Sequence, residues 1–155
     1  MYQIKPEELR LWRAFLAAQA AIVPGIESEL GGLTDVSLGD LEVLVALNEN
    51  GGQMRMAELA DAISASRSGL TRRVDRLKNQ GLVDRASVPS DKRGAYAVIT
   101  NRGTRHLDDV LPGYQSVVSR RFLSVLNAEE RNMLLRLLER LTDAADFETE
   151  RVRRI

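Results

Sequence analysis

Apolar residues recur every three or four positions along the first thirty residues of the chain. The positions that share this spacing are Leu9, Trp12, Leu16, Ile22, Ile26 and Leu30. The pattern predicts an amphipathic helix over residues 7–30. Pro24-Gly25 lies inside this helix, and we expect the pair to kink or break it, because proline has no backbone N–H.

Three shorter helices are predicted in the next fifty residues. The first covers residues 37–48, with Ser37 as its N-cap and Gly51-Gly52 after its end. The second covers residues 57–63, and a tight turn at Ser64-Ala65 follows it. Ser66 then caps a third helix, which we expect to run to about Gln80 and to end before Gly81.

The spacing of apolar residues changes after this third helix. Leu82–Ser87 and Ala95–Thr100 have the alternation of strands, and residues 88–94 between them are rich in turn-forming and charged residues. The segment therefore predicts a β-hairpin with a long basic tip.

Helices are predicted again over the C-terminal third. Thr100 caps a helix that we expect to be interrupted at Pro112-Gly113 and to resume to about Leu126. Asn127 and Glu130 have the spacing of a capping box, which predicts the start of a last helix. Its apolar stripe comprises Met133, Leu134, Leu137, Leu138 and Leu141.

Two short helices joined by a brief turn and followed by a two-stranded hairpin make a winged helix-turn-helix. We therefore predict a mainly α fold with a small β-hairpin wing. The predicted organisation is an N-terminal dimerisation helix over 1–36, a winged helix-turn-helix domain over 37–103, and C-terminal dimerisation helices over 104–155. In this fold the second short helix enters the major groove of DNA.

A helical wheel separates the faces of the helix that begins after Ser66. With Leu70 at 0° and 100° per residue, Val74 and Leu77 fall on the same inward face. Ser68, Thr71, Arg72 and Asp75 fall on or near the opposite face. Hydroxyl and guanidinium groups in the first half of a recognition helix can bond base edges and phosphates. Arg73 lies near the inner face, which favours a structural or backbone-contacting role.

The hairpin tip and the surrounding arginines supply a second set of predicted DNA contacts. Lys92 and Arg93 lie where the tip projects, and an arginine there can enter the narrow minor groove. Asp91 can hold the loop that carries this arginine by accepting local hydrogen bonds. Arg55 and Arg76 are further candidates for neutralising phosphate charge or for surface pairing.

The net charge is zero, but the charge is unevenly distributed. Residues 55–105 carry eleven basic and five acidic side chains, whereas residues 1–54 carry three basic and eight acidic ones. A basic centre between acidic or neutral flanks is typical of a nucleic-acid surface, although a chance fluctuation of a few charges would give a similar count.

Composition excludes several function classes. The chain contains no cysteine, which excludes disulfides, thiolate metal sites and thiol redox sensing, and it contains one histidine, which excludes a histidine-rich metal cluster. His106 is interpreted as a packed or surface residue. No catalytic triad, glycine-rich phosphate loop or cofactor motif is present, so we predict no enzyme activity, catalytic residue, metal or cofactor. The apolar stretches are too short to span a membrane, and we expect a soluble, cytoplasmic protein.

The sequence also resembles a known family. The residues that carry the resemblance are Met56-Ala-Glu-Leu-Ala-Asp-Ala-Ile, Ser66-Arg-Ser-Gly-Leu-Thr-Arg-Arg-Val-Asp-Arg-Leu, Gly81-Leu-Val-Asp-Arg, Asp91-Lys-Arg-Gly and Ile99-Thr-Asn-Arg-Gly. In order and spacing these segments resemble the MarR family of bacterial transcriptional regulators. The resemblance covers nearly the whole chain. The peroxide-sensing branch of the family requires an N-terminal cysteine, which this chain lacks.

The resemblance implies a homodimer whose N- and C-terminal helices interlock and whose winged helices bind near-palindromic promoter DNA, usually as a repressor. It implies that Ser66, Ser68, Thr71 and Arg72 lie on the recognition helix, and that Arg93 is the wing arginine held by Asp91. It also implies release of the DNA by small aromatic anions.

The apolar stripes of the first and last helices independently favour a dimer, because a winged helix of about 60 residues cannot cover both of them. The aromatic residues that could line an effector pocket are Trp12, Phe15, Tyr96 and Tyr114, and ordinary core packing explains them at least as well. The alternative to a DNA-binding regulator is a winged-helix module for protein interaction without a DNA target.

Overall fold

The computed structural model describes residues 4–88 and 91–153, with side chains for residues 4–86 and 95–144. The chain forms two compact units, residues 1–117 and 118–155. The first unit contains helices α1 (Pro6–Leu30), α2 (Leu38–Glu49), α3 (Met56–Ala62), α4 (Arg67–Asn79) and α5 (Asn101–Val118), and strands β1 (Gln53–Arg55), β2 (Val83–Val88) and β3 (Asp91–Ile99). The second contains a π-helical turn (Ser119–Leu123) and helix α6 (Ala128–Arg153).

Helix α1 runs through Pro24 without a break, so the expected break at Pro24-Gly25 is wrong, and the kink stays a prediction. Proline removes one backbone hydrogen bond, but its fixed φ is compatible with a helix. Ile26 and Leu30, which follow the proline, are buried and hold the last turns of α1 in the core. The burial of these two side chains compensates for the missing hydrogen bond.

The core of the first unit lies between α2, α3 and α4. Helix α2 buries half of its residues, including Leu41, Leu44 and Leu47, each with no exposed surface. Leu59 of α3 and Val74 of α4 are also fully buried. Each fully buried leucine or valine stabilises the fold by about 1.5–3 kcal/mol relative to an exposed one. This packing fixes α4 against the two preceding helices.

The sheet has three antiparallel strands in the order β1-β3-β2. The pattern analysis missed β1, in which Arg55 pairs with Tyr96 of β3. Strands β2 and β3 pair from Val83↔Ile99 onward, with a shift of register between Ser87 and Val88. The predicted long loop over residues 88–94 is wrong, because strand backbone extends to Val88 and begins again at Asp91.

The predicted helix caps are confirmed. The hydroxyls of Ser37, Ser66 and Thr100 accept backbone hydrogen bonds at the starts of α2, α4 and α5. Asn127 and Glu130 form the reciprocal bonds of a capping box at the start of α6. Each such cap is worth about 1 kcal/mol.

Helix α5 also differs from the prediction. It passes through Pro112 without interruption and ends at Val118, where the π-helical turn begins, rather than continuing to residue 126. Leu107, Val110 and Val117 are buried on either side of the proline, so packing holds this helix together. Among the described residues, no helix combines the length and apolar character that a membrane crossing needs.

Candidate nucleic-acid interface

The two faces of α4 are those predicted by the helical wheel. Leu70, Val74 and Leu77 are buried, with at most 1% of their surface exposed. The residues exposed on the outer side are Ser66, Ser68, Thr71, Arg72 and Asp75. The first half of α4 therefore presents hydroxyl groups and the exposed arginines Arg67 and Arg72 to the solvent.

The start of α4 is organised by hydroxyl groups. Ser66 Oγ accepts a hydrogen bond of 3.1 Å from the backbone N–H of Gly69, and it lies 3.4 Å from Ser68 Oγ. A Cβ atom at position 69 would lie 2.9 Å from Ser66 Oγ, which explains a glycine inside the helix. Gly69 gives up helix propensity, about 1 kcal/mol relative to alanine, and makes room for the capping hydroxyl.

The hydroxyl of Thr71 is committed within the helix. Thr71 Oγ1 donates a hydrogen bond of 2.9 Å to the carbonyl oxygen of Arg67, one turn earlier. A hydroxyl has a single proton to donate. Thr71 therefore presents an oxygen that can only accept a hydrogen bond, together with a methyl group.

Two arginines of α4 are attached to the first turn of α2. Arg76 donates hydrogen bonds of 2.9 and 2.7 Å to the two carboxylate oxygens of Asp40, a residue that is 5% exposed. The hydrogen bond and the charge of Asp40 raise the pKa of the Arg76 guanidinium. Arg73 lies over Gly39 and donates to its carbonyl oxygen at 3.3 Å, in a place where a Cβ atom at position 39 would clash.

Strand β2 is attached to α4 by a third arginine. Arg85 forms an ion pair of 2.9 Å with Asp75 and donates to the carbonyl oxygen of Thr71 at 3.5 Å. The carboxylate of Asp75 is exposed on the same side of α4 as the hydroxyls, and Arg85 balances its charge. This contact fixes α4 relative to strand β2.

Arg55 and Tyr96 form a pair at the opposite edge of the sheet. Arg55 Nε donates a hydrogen bond of 2.7 Å to the Tyr96 hydroxyl, and its guanidinium lies 5.6 Å from the centre of the tyrosine ring. The contact combines a hydrogen bond with a cation–π interaction. Tyr96, which the sequence analysis considered for an effector pocket, thus lies on the wing sheet.

The predicted wing contacts fall outside the described side chains. Asp91, Lys92 and Arg93 belong to the backbone of β3, and their side chains are not described. The roles proposed for Lys92 and Arg93 in DNA binding, and for Asp91 in wing support, stay predictions.

The other aromatic residues considered for an effector pocket lie on two helices. Trp12 and Phe15 stack on each other on α1 with ring centres 5.9 Å apart, and they are 54% and 43% exposed. Tyr114 of α5 is half-buried and donates a hydrogen bond to Glu42 of α2. Burial first, and then Glu42, raise the pKa of Tyr114. His106 is half-buried and hydrogen-bonded to Thr34 at 3.0 Å.

One groove of about 380 Å³ lies between the end of α1 and the start of α2. Its lining residues are Glu27, Gly31, Thr34, Asp35, Val36, Ser37 and Leu38. None of the four aromatic residues considered for an effector pocket belongs to this lining. Within the described residues, no cluster of histidine, aspartate and glutamate has the composition of a metal site.

Comparison with known proteins decides the family. A sequence model described as MarR family matches residues 32–94. The crystal structure of AbsC, a MarR family transcriptional regulator from Streptomyces coelicolor, is 30% identical, and the match covers 94% of this chain and 99% of AbsC with a TM-score of 0.85. The chain belongs to the MarR family of transcriptional regulators.

Two further relatives of this MarR-family regulator extend over most of the chain. Sco3205 from Streptomyces coelicolor, a MarR family transcriptional regulator solved in complex with DNA, is 28% identical with a TM-score of 0.86, over 93% of this chain and 91% of Sco3205. The transcriptional repressor MdtR of Bacillus subtilis is 26% identical over 139 residues, which are 90% of this chain and 85% of MdtR.

Sequence reasoning missed the acidic and glycine partners that hold the MarR-family recognition helix. Gly39 and Asp40 were not singled out, because their partners lie far away along the chain. One signal was present: Asp40 directly precedes the buried Leu41 in a helix with few polar positions. A buried carboxylate requires a partner, which indicates a nearby arginine or lysine.

Proposed function

We propose that this MarR-family regulator binds near-palindromic promoter DNA as a homodimer and represses transcription, and that a small aromatic or phenolic ligand releases it from the DNA. Each subunit inserts α4 into the major groove. The wing, with Lys92 and Arg93, contacts the flanking backbone and minor groove.

The exposed polar face of α4 carries this proposal. Arg72 reads base edges, because a guanidinium can donate two hydrogen bonds to guanine. Ser66 and Ser68 lie at the N-terminus of α4, where hydroxyls and backbone N–H groups favour phosphate. Arg55 neutralises backbone charge from the edge of the sheet.

The role that we propose for Arg76, and in part for Arg73, differs from the one expected from the sequence. From the sequence, Arg73 was a candidate for a structural or backbone contact and Arg76 for neutralising phosphate charge or for surface pairing. Their guanidinium groups bond Gly39 and Asp40. We assign them to holding α4 at its angle to α2. The cations proposed to face DNA are therefore Arg55, Arg72, Lys92 and Arg93.

The two ends of the chain support a homodimer. Large apolar side chains are exposed on α1, on its N-terminal flank and on α6, and such surfaces are disfavoured in monomers. They are Ile4, Leu9, Leu11, Trp12, Phe15, Leu16, Val23, Met133, Leu135, Leu137 and Leu141. In the proposal they bury each other across a two-fold axis, through the regions 1–36 and 104–155. The axis spaces two recognition helices by about one DNA turn, roughly 34 Å.

Two relatives support the DNA target and the direction of regulation. Sco3205 was solved in complex with DNA. MdtR is named a transcriptional repressor. The proposal of a ligand is supported by the family resemblance.

A binding titration tests the proposal. The probe is a labelled duplex from the intergenic region upstream of the gene, with a scrambled duplex of the same composition as competitor. We expect a complex that resists the competitor, and we expect Arg72→Ala to lose this preference while Arg10→Ala, an exposed arginine of α1, keeps it. A protein that shows no preference for the upstream duplex would favour the protein-interaction module instead. A panel of phenolic acids added to the complex then tests the ligand.

A further inference from the structure

The side chain of Thr71 differs chemically from its exposed neighbours on α4. The hydroxyls of Ser66 and Ser68 lie 3.4 Å apart, and one of them can donate to the other, which leaves a proton available at the helix surface. Arg72 carries only donors. Thr71 has already donated its only proton to the Arg67 carbonyl. It therefore cannot donate to guanine, thymine or a phosphate without losing that bond.

The bond to Arg67 also fixes the orientation of the Thr71 side chain. Threonine in a helix adopts two χ1 rotamers, and its hydroxyl bonds to the preceding turn in them. With Oγ1 directed back along the helix, the Cγ2 methyl takes one of the remaining staggered positions on Cβ. Thr71 is exposed, so an apolar group is held on the proposed DNA face.

The backbone at Thr71 is held from several sides. Arg85 of β2 bonds its carbonyl oxygen, the Ser66 cap fixes the turn before it, and the Arg73 and Arg76 contacts hold the following turn against α2. A group on a rigid element discriminates between ligands better than one on a mobile element, because little entropy is lost on binding. The methyl position is therefore well defined in the free protein.

We propose that Thr71 is a specificity-determining residue that recognises a thymine in each half-site through contact between its Cγ2 methyl and the thymine C5 methyl. The inference rests on the proposed function and deepens it. In the major groove only thymine presents a methyl group, so an apolar contact there distinguishes T·A from the other base pairs.

The test removes the methyl from each side of the contact in turn. The probe is the footprinted region of the upstream duplex, with each thymine of one half-site replaced singly by deoxyuridine. This change removes only the C5 methyl and keeps every hydrogen-bonding group. We expect one substitution to weaken binding about four-fold, the effect of losing one buried methyl-sized contact.

Two variants of the full-length protein identify the protein group involved. Thr71→Ser keeps the hydroxyl and its bond to Arg67 but lacks the methyl. It should bind the parent duplex about four-fold more weakly, and the deoxyuridine at that position should not weaken its binding further. Thr71→Val keeps the methyl without a hydroxyl, so the deoxyuridine should still weaken its binding. Thermal melting of each variant checks that α4 is intact.

The outcomes separate the inference from the proposed function. If Thr71→Ser responds to every deoxyuridine as the parent protein does, or if Thr71→Val alone becomes insensitive, the methyl contact is overturned while DNA binding stands. The second result would show that the response to the thymine methyl depends on the Thr71 hydroxyl and not on its methyl. If no protein prefers the upstream duplex, both the inference and the proposed function are overturned.

Discussion

The buried carboxylate of Asp40 in α2 and the guanidinium of Arg76 in α4 form a bidentate ion pair, with hydrogen bonds of 2.7 and 2.9 Å. The carboxylate side chain is 7% exposed and the arginine side chain is 53% exposed. The ion pair therefore holds α4 against α2 through a buried carboxylate and a guanidinium that water reaches.

Replacing Arg76 with alanine should destabilise the protein by about 2 kcal/mol, because the Asp40 carboxylate stays buried without its charged partner. The figure is below the 3–5 kcal/mol typical of a fully buried pair, since water reaches the arginine. Urea denaturation measures the loss. Adding Asp40→Asn to Arg76→Ala should recover part of it, because an amide costs less to bury than a charge. A double variant less stable than Arg76→Ala would contradict the assignment.

The ion pair between Arg85 and Asp75 should contribute little to stability but should affect DNA binding. Both side chains are partly or largely exposed, so Arg85→Ala should change the free energy of unfolding by less than about 1 kcal/mol. It should nevertheless weaken DNA binding about five-fold, because the Asp75 carboxylate then repels the phosphates without compensation. Anisotropy titration measures the affinity. Asp75→Asn in the Arg85→Ala background should restore most of the affinity, and a double variant as weak as Arg85→Ala would reject this explanation.

Tyr114 should ionise at a higher pH than an ordinary tyrosine. Its pKa is raised above 10 by burial and by the hydrogen bond to Glu42. A pKa that is higher in the folded than in the unfolded state stabilises the fold fully below pH 10, and this contribution is lost as pH rises through the folded value. The absorbance difference at the phenolate band between the parent protein and Tyr114→Phe should therefore develop only well above pH 10, with circular dichroism reporting the fold. A difference centred at pH 10 in folded protein would exclude the buried hydrogen bond.

The exposed apolar residues of α1 and α6 predict the oligomeric state. Size-exclusion chromatography with light scattering should give twice the chain mass of 17.3 kDa at micromolar concentration. Leu11→Asp and Leu141→Asp should each shift the mass toward one chain, because a carboxylate would be buried in the interface. Asn48→Asp, an added charge on the exposed side of α2, is the matched control. A monomeric parent protein would remove the basis of the proposed operator geometry.

Local interactions made much of the fold predictable. Ser37, Ser66 and the Asn127–Glu130 pair lie next to the groups that they cap, so their spacing alone indicates the helix starts. The faces of α4 follow in the same way from helical geometry, with Leu70 buried and Arg72 exposed. The hydroxyl and guanidinium face of the candidate site was therefore predictable before the structure.

Contacts between distant segments were not predictable in this way. Strand β1 has only three residues and is defined by pairing with β3, so no internal periodicity marks it. The partners of Arg55 and Arg76 are 41 and 36 residues away, on other elements. At Pro24 and Pro112 the local rule predicted a break, and tertiary packing kept both helices continuous.

The salt dependence of the dissociation constant for the upstream duplex shows whether the outer face of α4 binds duplex DNA. We expect a linear fall of log affinity with log salt concentration, with a slope near −0.9 for each phosphate neutralised. We also expect Arg72→Ala to reduce the difference in binding free energy between the upstream and the scrambled duplex by about 1–3 kcal/mol. An affinity independent of salt, or an Arg72→Ala protein that distinguishes the two duplexes as well as its parent, would contradict DNA binding by this face of α4.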